Sequence, residues 1–293
     1  MFFSKITGYH PWQPLAWLRV SGDDALTFLQ GQFTNDLRNL MAGGAIYGLW
    51  LNQKGRVLAD SFVVSGDGRD TFWLASYFCP TPVIRERLEA YIIADDVVIT
   101  DETADWQAVT LLGTVEPAAL RQAVPGSLAF AGRRGAESVE WVFPRVAKEQ
   151  VGAYLADRTE VDAGGMERRR VLAGIAAVPA DIGPGELPNE GGLEQDAISY
   201  TKGCYLGQEV MARLKAMGRV RRRLLRVTGR GSPPPVPAEL WQEGRKVGEL
   251  RSAAAGVDGF AGLALLTLMS MQPAAGLGLA AEAVPTITVT DPA

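Results

Sequence analysis

Apolar residues recur along this chain with a helical period in some stretches and a strand-like period in others. Ala25, Leu26, Phe28 and Leu29 follow Asp23 and Asp24 at helical spacing, and Ser21 or Asp23 stands where an N-terminal cap belongs. Residues 45–51 and 57–64 read as strands joined by the turn Asn52-Gln53-Lys54-Gly55, a hairpin signal. Phe72-Trp73-Leu74-Ala75 is a further short strand, with Asp67-Gly68 suited to the turn before it. Thr81 is placed to cap a helix from Pro82 to about Tyr91, because proline is favoured in a first turn. Strands are expected at 97–100, 106–112 and 140–144, and helices at 117–123, 147–157 and 162–174.

The second half changes character. Residues 178–198 form a long connection rich in glycine and proline that carries five acids, and a loop of that length is expected to line a site. Gln208 to Met217 is a run of good helix formers with Gly218 as its stop. Residues 219–229 alternate basic and apolar positions like a strand, and the proline-rich stretch 232–237 then reads as a loop early in a small β domain. Helices and hairpins mixed without a βαβ rhythm predict an α+β fold.

At 293 residues the chain is long enough for two or three lobes, and 47% hydrophobic with 21% charged residues describes an ordinary globular protein. The net charge of −4 argues against broad attraction to nucleic acid or an anionic membrane, so direct nucleic-acid binding is not expected. No signal-peptide pattern is visible, and the longest apolar run, Phe260 to Met269, is about half of a membrane span. A cytoplasmic protein is expected. The two cysteines supply neither a disulfide framework nor a zinc-type cluster, and a single histidine, His10, excludes multi-histidine metal sites.

Candidate chemistry gathers in the segment Lys202-Gly203-Cys204-Tyr205-Leu206-Gly207-Gln208-Glu209-Val210-Met211-Ala212-Arg213. Cys204 lies between two glycines and just ahead of a helix start, where free N–H groups, the helix dipole and Lys202 all favour a thiolate. A small buried residue is the competing reading of such a cysteine. Glu209 and Arg213 stand four apart, the spacing of a helix-surface ion pair. Asp60 lies close after the Asn52–Gly55 turn, within the expected strand 57–64, and its carboxylate faces either solvent or a cavity. Asn35 and Asp36 follow the first helix, where a capping role competes with a ligand-binding one. Five arginines among residues 219–226 fit a solvated strand face, the carboxylates of an anionic ligand or a phosphate backbone.

The whole cysteine string resembles the signature of the YgfZ-like folate-binding proteins, relatives of the aminomethyltransferase of the glycine cleavage system. Phe28–Leu37 and Leu51–Asp60 resemble that family's two N-terminal blocks, Leu187-Pro188-Asn189-Glu190 its lead into the cysteine segment, and Gly244–Ser252 a weaker C-terminal one. The resemblance implies two intertwined α+β lobes over residues 1–222 and a C-terminal β-barrel over 223–293, around a central folate-sized opening. It implies tetrahydrofolate or a one-carbon derivative as cofactor, and iron–sulfur enzymes or assembly proteins as partners. Cys204 would be the working residue, Asp60 would match the aspartate that faces the folate nitrogens in aminomethyltransferases, and Lys202, Gln208, Glu209, Arg213, Asn35 and Glu190 would belong to the folate site. One position departs from the pattern. Where relatives carry Arg-x-Glu-x-Gly, this chain has Arg170-Val171-Leu172-Ala173-Gly174, so the carboxylate that grips the pterin is missing unless Glu186, Glu190 or Glu194 replaces it. Three functions follow: a folate-binding accessory protein for iron–sulfur cluster assembly, repair or maintenance, including of tRNA-modifying enzymes; a folate-dependent one-carbon transferase; and a scaffold that binds no folate.

Overall fold

The computed structural model describes residues 5–66, 71–218, 220–269, 271–272 and 274–291. Its strands in chain order are β1 (Lys5–Trp12), β2 (Ala16–Ser21), β3 (Ala45–Leu51), β4 (Val57–Ser65), β5 (Thr71–Ser76), β6 (Val98–Asp101) and β7 (Trp106–Thr114). There follow β8 (Leu128–Ala131), β9 (Ser138–Pro144), β10 (Arg222–Gly229), β11 (Ala238–Gln242), β12 (Arg245–Ala255), β13 (Phe260–Thr267) and β14 (Ile287–Val289). The helices are α1 (Ala25–Gln32), α2 (Thr81–Glu89), α3 (Pro117–Ala123), α4 (Lys148–Leu155), α5 (Ala163–Leu172) and α6 (Gln208–Met217).

Three antiparallel sheets result. The first runs β3-β4-β5-β2-β6, the second β1-β7-β9-β8 and the third β11-β12-β13-β10-β14. Each carries a core of its own: Trp17, Leu49, Trp50 and Leu74 in the first, Leu111, Trp141 and Phe143 in the second, Leu240, Leu250 and Leu266 in the third. The α+β expectation therefore holds; among the described residues no helix follows α6, and α5 from the earlier part of the chain packs on β12 and β13 of the last sheet. β1, β2 and β8 were not legible in the sequence. β1 contains Gly8 and Pro11, weak strand formers, and exists because the whole of β7 lies beside it.

Helix ends depart from the expected caps in small ways. Asp24, not Ser21 or Asp23, occupies the cap of α1, and it makes no side-chain cap bond. Pro80 caps α2, whose first residue is Thr81. Asp162 caps α5 by accepting from the Gly165 amide at 2.7 Å. α6 spans the expected residues and ends at Gly218. The Asp67-Gly68 turn and Arg219 lie outside the described residues.

The long connection is tied down along its length. The Val57 amide donates to Glu186 O at 3.0 Å, the Ser199 amide to Thr34 O at 3.0 Å, and Thr34 Oγ1 to Ala197 O at 2.7 Å. Arg170 of α5 is buried and reaches Asp181 of the connection at 2.5 Å and Ser252 of β12 at 2.7 Å. This triad joins the helix, the connection and the third sheet in one contact.

Candidate functional site

The three sequence blocks singled out above meet in space. Lys202 is 4% exposed, and its ammonium donates to three backbone carbonyls, Gln30 at 2.7 Å, Phe33 at 2.6 Å and Asn35 at 2.8 Å. An ammonium has three N–H groups, so all are used. Burial pushes its pKa down to about 8, with Asp36 countering in part, so it is still charged at neutral pH. The carbonyls at and just beyond the end of α1 are thereby satisfied by a residue 167 to 172 positions away in the chain, and Lys202 has no donor left for a ligand.

The start of α6 docks on the β3–β4 turn. Gly207 holds φ +86°, and a Cβ there would stand 2.9 Å from the Asn52 carbonyl oxygen. Gly55, in turn, has the Val210 side chain where its own Cβ would be. Two glycines are thus needed for the close approach that fixes this loop. Cys204 sits on the outside of it, exposed, while the other cysteine, Cys79, is buried. The small-buried-residue reading of Cys204 is excluded by that exposure.

A second feature is a cleft of about 710 Å³. It is lined by Arg133 from the β8–β9 turn, Gly174 after α5, Gln195 and Asp196 of the long connection, and Arg223 and Arg226 of β10. Arg133 pairs with Asp196 at 2.7 Å and Arg226 with Asp291 at 2.5 Å. Arg133 also lies 4.3 Å above the centre of the Tyr47 ring. Tyr47 donates through its hydroxyl to Asp60 Oδ2 at 2.8 Å.

Asp60 is itself closed in. Ser76 Oγ donates to its Oδ1 at 3.0 Å and the Cys79 thiol at 3.3 Å, leaving the residue 4% exposed. Burial raises its pKa, against the donors from Tyr47, Cys79 and Ser76 and the nearby charge of Arg133. The thiol of Cys79 is pushed up by its own burial and by the Asp60 carboxylate. Asp60 is absent from the cleft wall, with Tyr47 in hydrogen-bond contact and Arg133 stacked over Tyr47 on the cleft side.

The remaining sequence candidates fall in three places. Asn35 bridges β3 and the connection, donating to Tyr47 O at 2.9 Å and Asp196 O at 3.0 Å. Glu190 is buried and fully engaged, accepting from the Leu187 amide at 2.8 Å and from Arg222 at 2.9 Å. Gln208, Glu209 and Arg213 lie on α6, do not line the cleft, and among the described residues Glu209 and Arg213 form no ion pair. His10 binds Val161 O at 2.7 Å. Leu172 ends α5, and its carbonyl accepts from Arg226 at 3.2 Å. Of the three replacement carboxylates, Glu186 and Glu190 are held by Arg222 and Arg251, whereas Glu194 has a buried Oε2 with no hydrogen-bond partner among the described residues. Arg133, Tyr47 and Asp196 escaped the sequence reading; the only available signal was the Gly132-Arg133-Arg134-Gly135 turn.

Comparison with known proteins matches these features. Residues 11–130 match the GCVT N-terminal domain, and residues 221–293 match the CAF17 C-terminal beta-barrel domain. The chain is 30% identical to the human mitochondrial iron–sulfur cluster assembly factor IBA57, over 85% of this chain and 74% of that one. It is 27% identical to the tRNA-modifying protein YgfZ of Edwardsiella ictaluri, over 78% of this chain and 72% of that one. In three dimensions it resembles the glycine cleavage system aminomethyltransferase T of Bartonella henselae, with a TM-score of 0.80 over 98% of this chain and 86% of that one. At 18% identity that last likeness speaks for the fold alone. Together they show that the chain has the aminomethyltransferase fold with a C-terminal barrel and belongs to the YgfZ- and IBA57-like proteins of the GcvT superfamily.

Proposed function

We propose that this protein is a cytoplasmic, tetrahydrofolate-binding accessory factor for the assembly, repair or maintenance of iron–sulfur clusters, with tRNA-modifying iron–sulfur enzymes among its clients. The observation that carries the reading is the contrast between its two polar centres. Cys204 is the exposed thiol, held on a loop that two separate segments brace, and Asp60 is enclosed. An accessory factor needs an accessible thiol, whereas a transferase needs the aspartate at the folate nitrogens.

Iron–sulfur clusters take about four ligands, so one thiol holds a cluster only together with a partner's ligands. Cys204 therefore acts as a shared or transient ligand to cargo that another protein also grips. The cleft fits a folate in size, since small-molecule sites run from about 300 to 1,000 Å³. Its chemistry fits as well: the guanidinium groups of Arg133, Arg223 and Arg226 line it and suit carboxylates. Tetrahydrofolate supplies a reducing ring and a carrier of one-carbon units. Residues 1–222 furnish most of the site in this reading, and the barrel from residue 223 contributes Arg223 and Arg226.

The test is a strain carrying Cys204→Ala in place of the native gene, with protein level unchanged. Iron–sulfur enzyme activity is expected to fall, while Asp60→Asn leaves it intact. Normal activity in the Cys204→Ala strain sinks the accessory reading. Folate binding is checked separately by calorimetric titration, with micromolar or tighter affinity expected.

A further inference from the structure

The second sheet carries a groove of about 410 Å³ between α4 and the strands β1 and β7. It shares no lining residue with the cleft described above. α4 contributes Lys148, Val151, Gly152 and Leu155, which are positions i, i+3, i+4 and i+7 of one helix face. Tyr9, Trp12, Val109 and Phe143 form the opposite wall, with the Trp12 ring fixed by its N–H bond to Glu140 at 3.1 Å. Gly152 is the informative position. Glycine is the poorest helix former after proline, yet it stands inside this eight-residue helix, and a Cβ on it would meet nothing within 4 Å. Its missing side chain keeps the groove open.

The two ends of the groove differ in charge. Gln107 pairs across the sheet with Phe143 and shares a face of β7 with the core residues Val109 and Leu111. Neither its amide nor the Lys148 ammonium has a side-chain hydrogen bond or ion pair among the described residues. Lys148 follows Phe143 by five residues and so stands at the same end as Gln107. Gln13, also lining the groove, donates its amide to the Thr103 and Trp106 carbonyls, both at 2.8 Å. At the other end, beyond Leu155, Glu160 bridges to Tyr9 and accepts from its hydroxyl at 3.3 Å. The seven residues of helix from Lys148 to Leu155 make the groove about 10 Å long.

We propose that this groove binds a small apolar monocarboxylate, its carboxylate at Lys148 and Gln107 and its arylalkyl body along Gly152 against Tyr9, Trp12 and Phe143. Charge decides the class. The cation and the amide donor at one end suit an anionic head, and Glu160 at the other repels a second one, so a dicarboxylate fits worse. Length and lining decide the body, since about 10 Å between aromatic walls takes a ring on a short chain. The volume falls within the range of small-molecule sites, which are mainly apolar with a few polar groups that fix orientation. This site is independent of the folate reading.

The experiment is calorimetric titration of the full chain with 4-phenylbutyrate and with 4-phenylbutan-1-ol, which keeps the body and loses the charge. One-to-one binding of the carboxylate tighter than about 1 mM is expected, with the alcohol about tenfold weaker or more. Lys148→Glu should weaken the carboxylate by about tenfold or more and spare the alcohol. Gly152→Leu should abolish binding of both without lowering the melting temperature, because leucine is the better helix former. Lys148 is exposed, so its variant keeps the test open whatever Gly152→Leu does to folding. Carboxylate binding unchanged in Lys148→Glu, or in folded Gly152→Leu, places the ligand elsewhere and overturns the proposal. Equal affinity for acid and alcohol overturns the carboxylate class, and wild-type binding weaker than about 1 mM overturns the site.

Discussion

Lys202→Met separates a structural lysine from a ligand-binding one. Methionine nearly matches the length of the stem but removes three charge-assisted hydrogen bonds to Gln30, Phe33 and Asn35. Each buried carbonyl that loses its donor costs about 1–3 kcal/mol. Relief from burying an ammonium offsets part of that, because such an ion is costly to desolvate even when paired. The net expectation is a destabilisation of about 2–4 kcal/mol. For a chain of this size that lowers the melting temperature by roughly 5–12 °C. The assay is urea unfolding followed by tryptophan fluorescence, with the folate affinity of the folded variant measured beside it. Stability should fall and affinity should stay within a few-fold of wild type. A loss below about 1 kcal/mol together with a tenfold weaker folate complex would show that Lys202 serves the ligand and that the carbonyl cage is incidental.

The same residue sets a pH dependence. Its folded pKa of about 8 lies below the ordinary 10.5, so the unfolded chain holds more protons between those values and stability rises with pH in that window. The advantage of wild type over Lys202→Met is expected to grow by on the order of 3 kcal/mol from pH 8 to 10.5; a flat difference contradicts the burial argument. A thiol reagent should label one cysteine of the native protein quickly, Cys204, and reach Cys79 only on unfolding; two fast thiols, or none, contradict the assignment. Asp181→Ala removes one of the two carboxylates that buried Arg170 binds, leaving Glu167, and should cost about 1.5–3 kcal/mol in equilibrium unfolding. Gly207→Ala places a side chain at φ +86° against the Asn52 carbonyl and should cost at least about 1–2 kcal/mol, with altered labelling of Cys204 as the local readout.

Much of the secondary structure was legible because the local signals were strong. α6 came from ten consecutive helix formers and a terminal glycine, and the β3–β4 hairpin from its turn residues. Elements whose residues carry weak local preference were not legible. β1 holds Gly8 and Pro11 and is a strand only because β7 pairs with it. Arg133 gave no sign of its position because its partners, Tyr47 and Asp196, lie far away in sequence on either side.

The amino-acid sequence by itself determined the fold class, the family and the three blocks that carry its motifs, since each rests on contiguous residues. It also placed Leu172 where the pattern of the resembled family has a glutamate. Only the tertiary structure decided what the motif residues do. Lys202 proves to be bound by carbonyls of another block, Asp60 to be shut in by Tyr47, Ser76 and Cys79, and Cys204 to be free. The reason is that burial and hydrogen-bond satisfaction are properties of neighbours in space. A lysine two residues from a cysteine looks like its electrostatic partner until the fold spends all three of its N–H groups elsewhere.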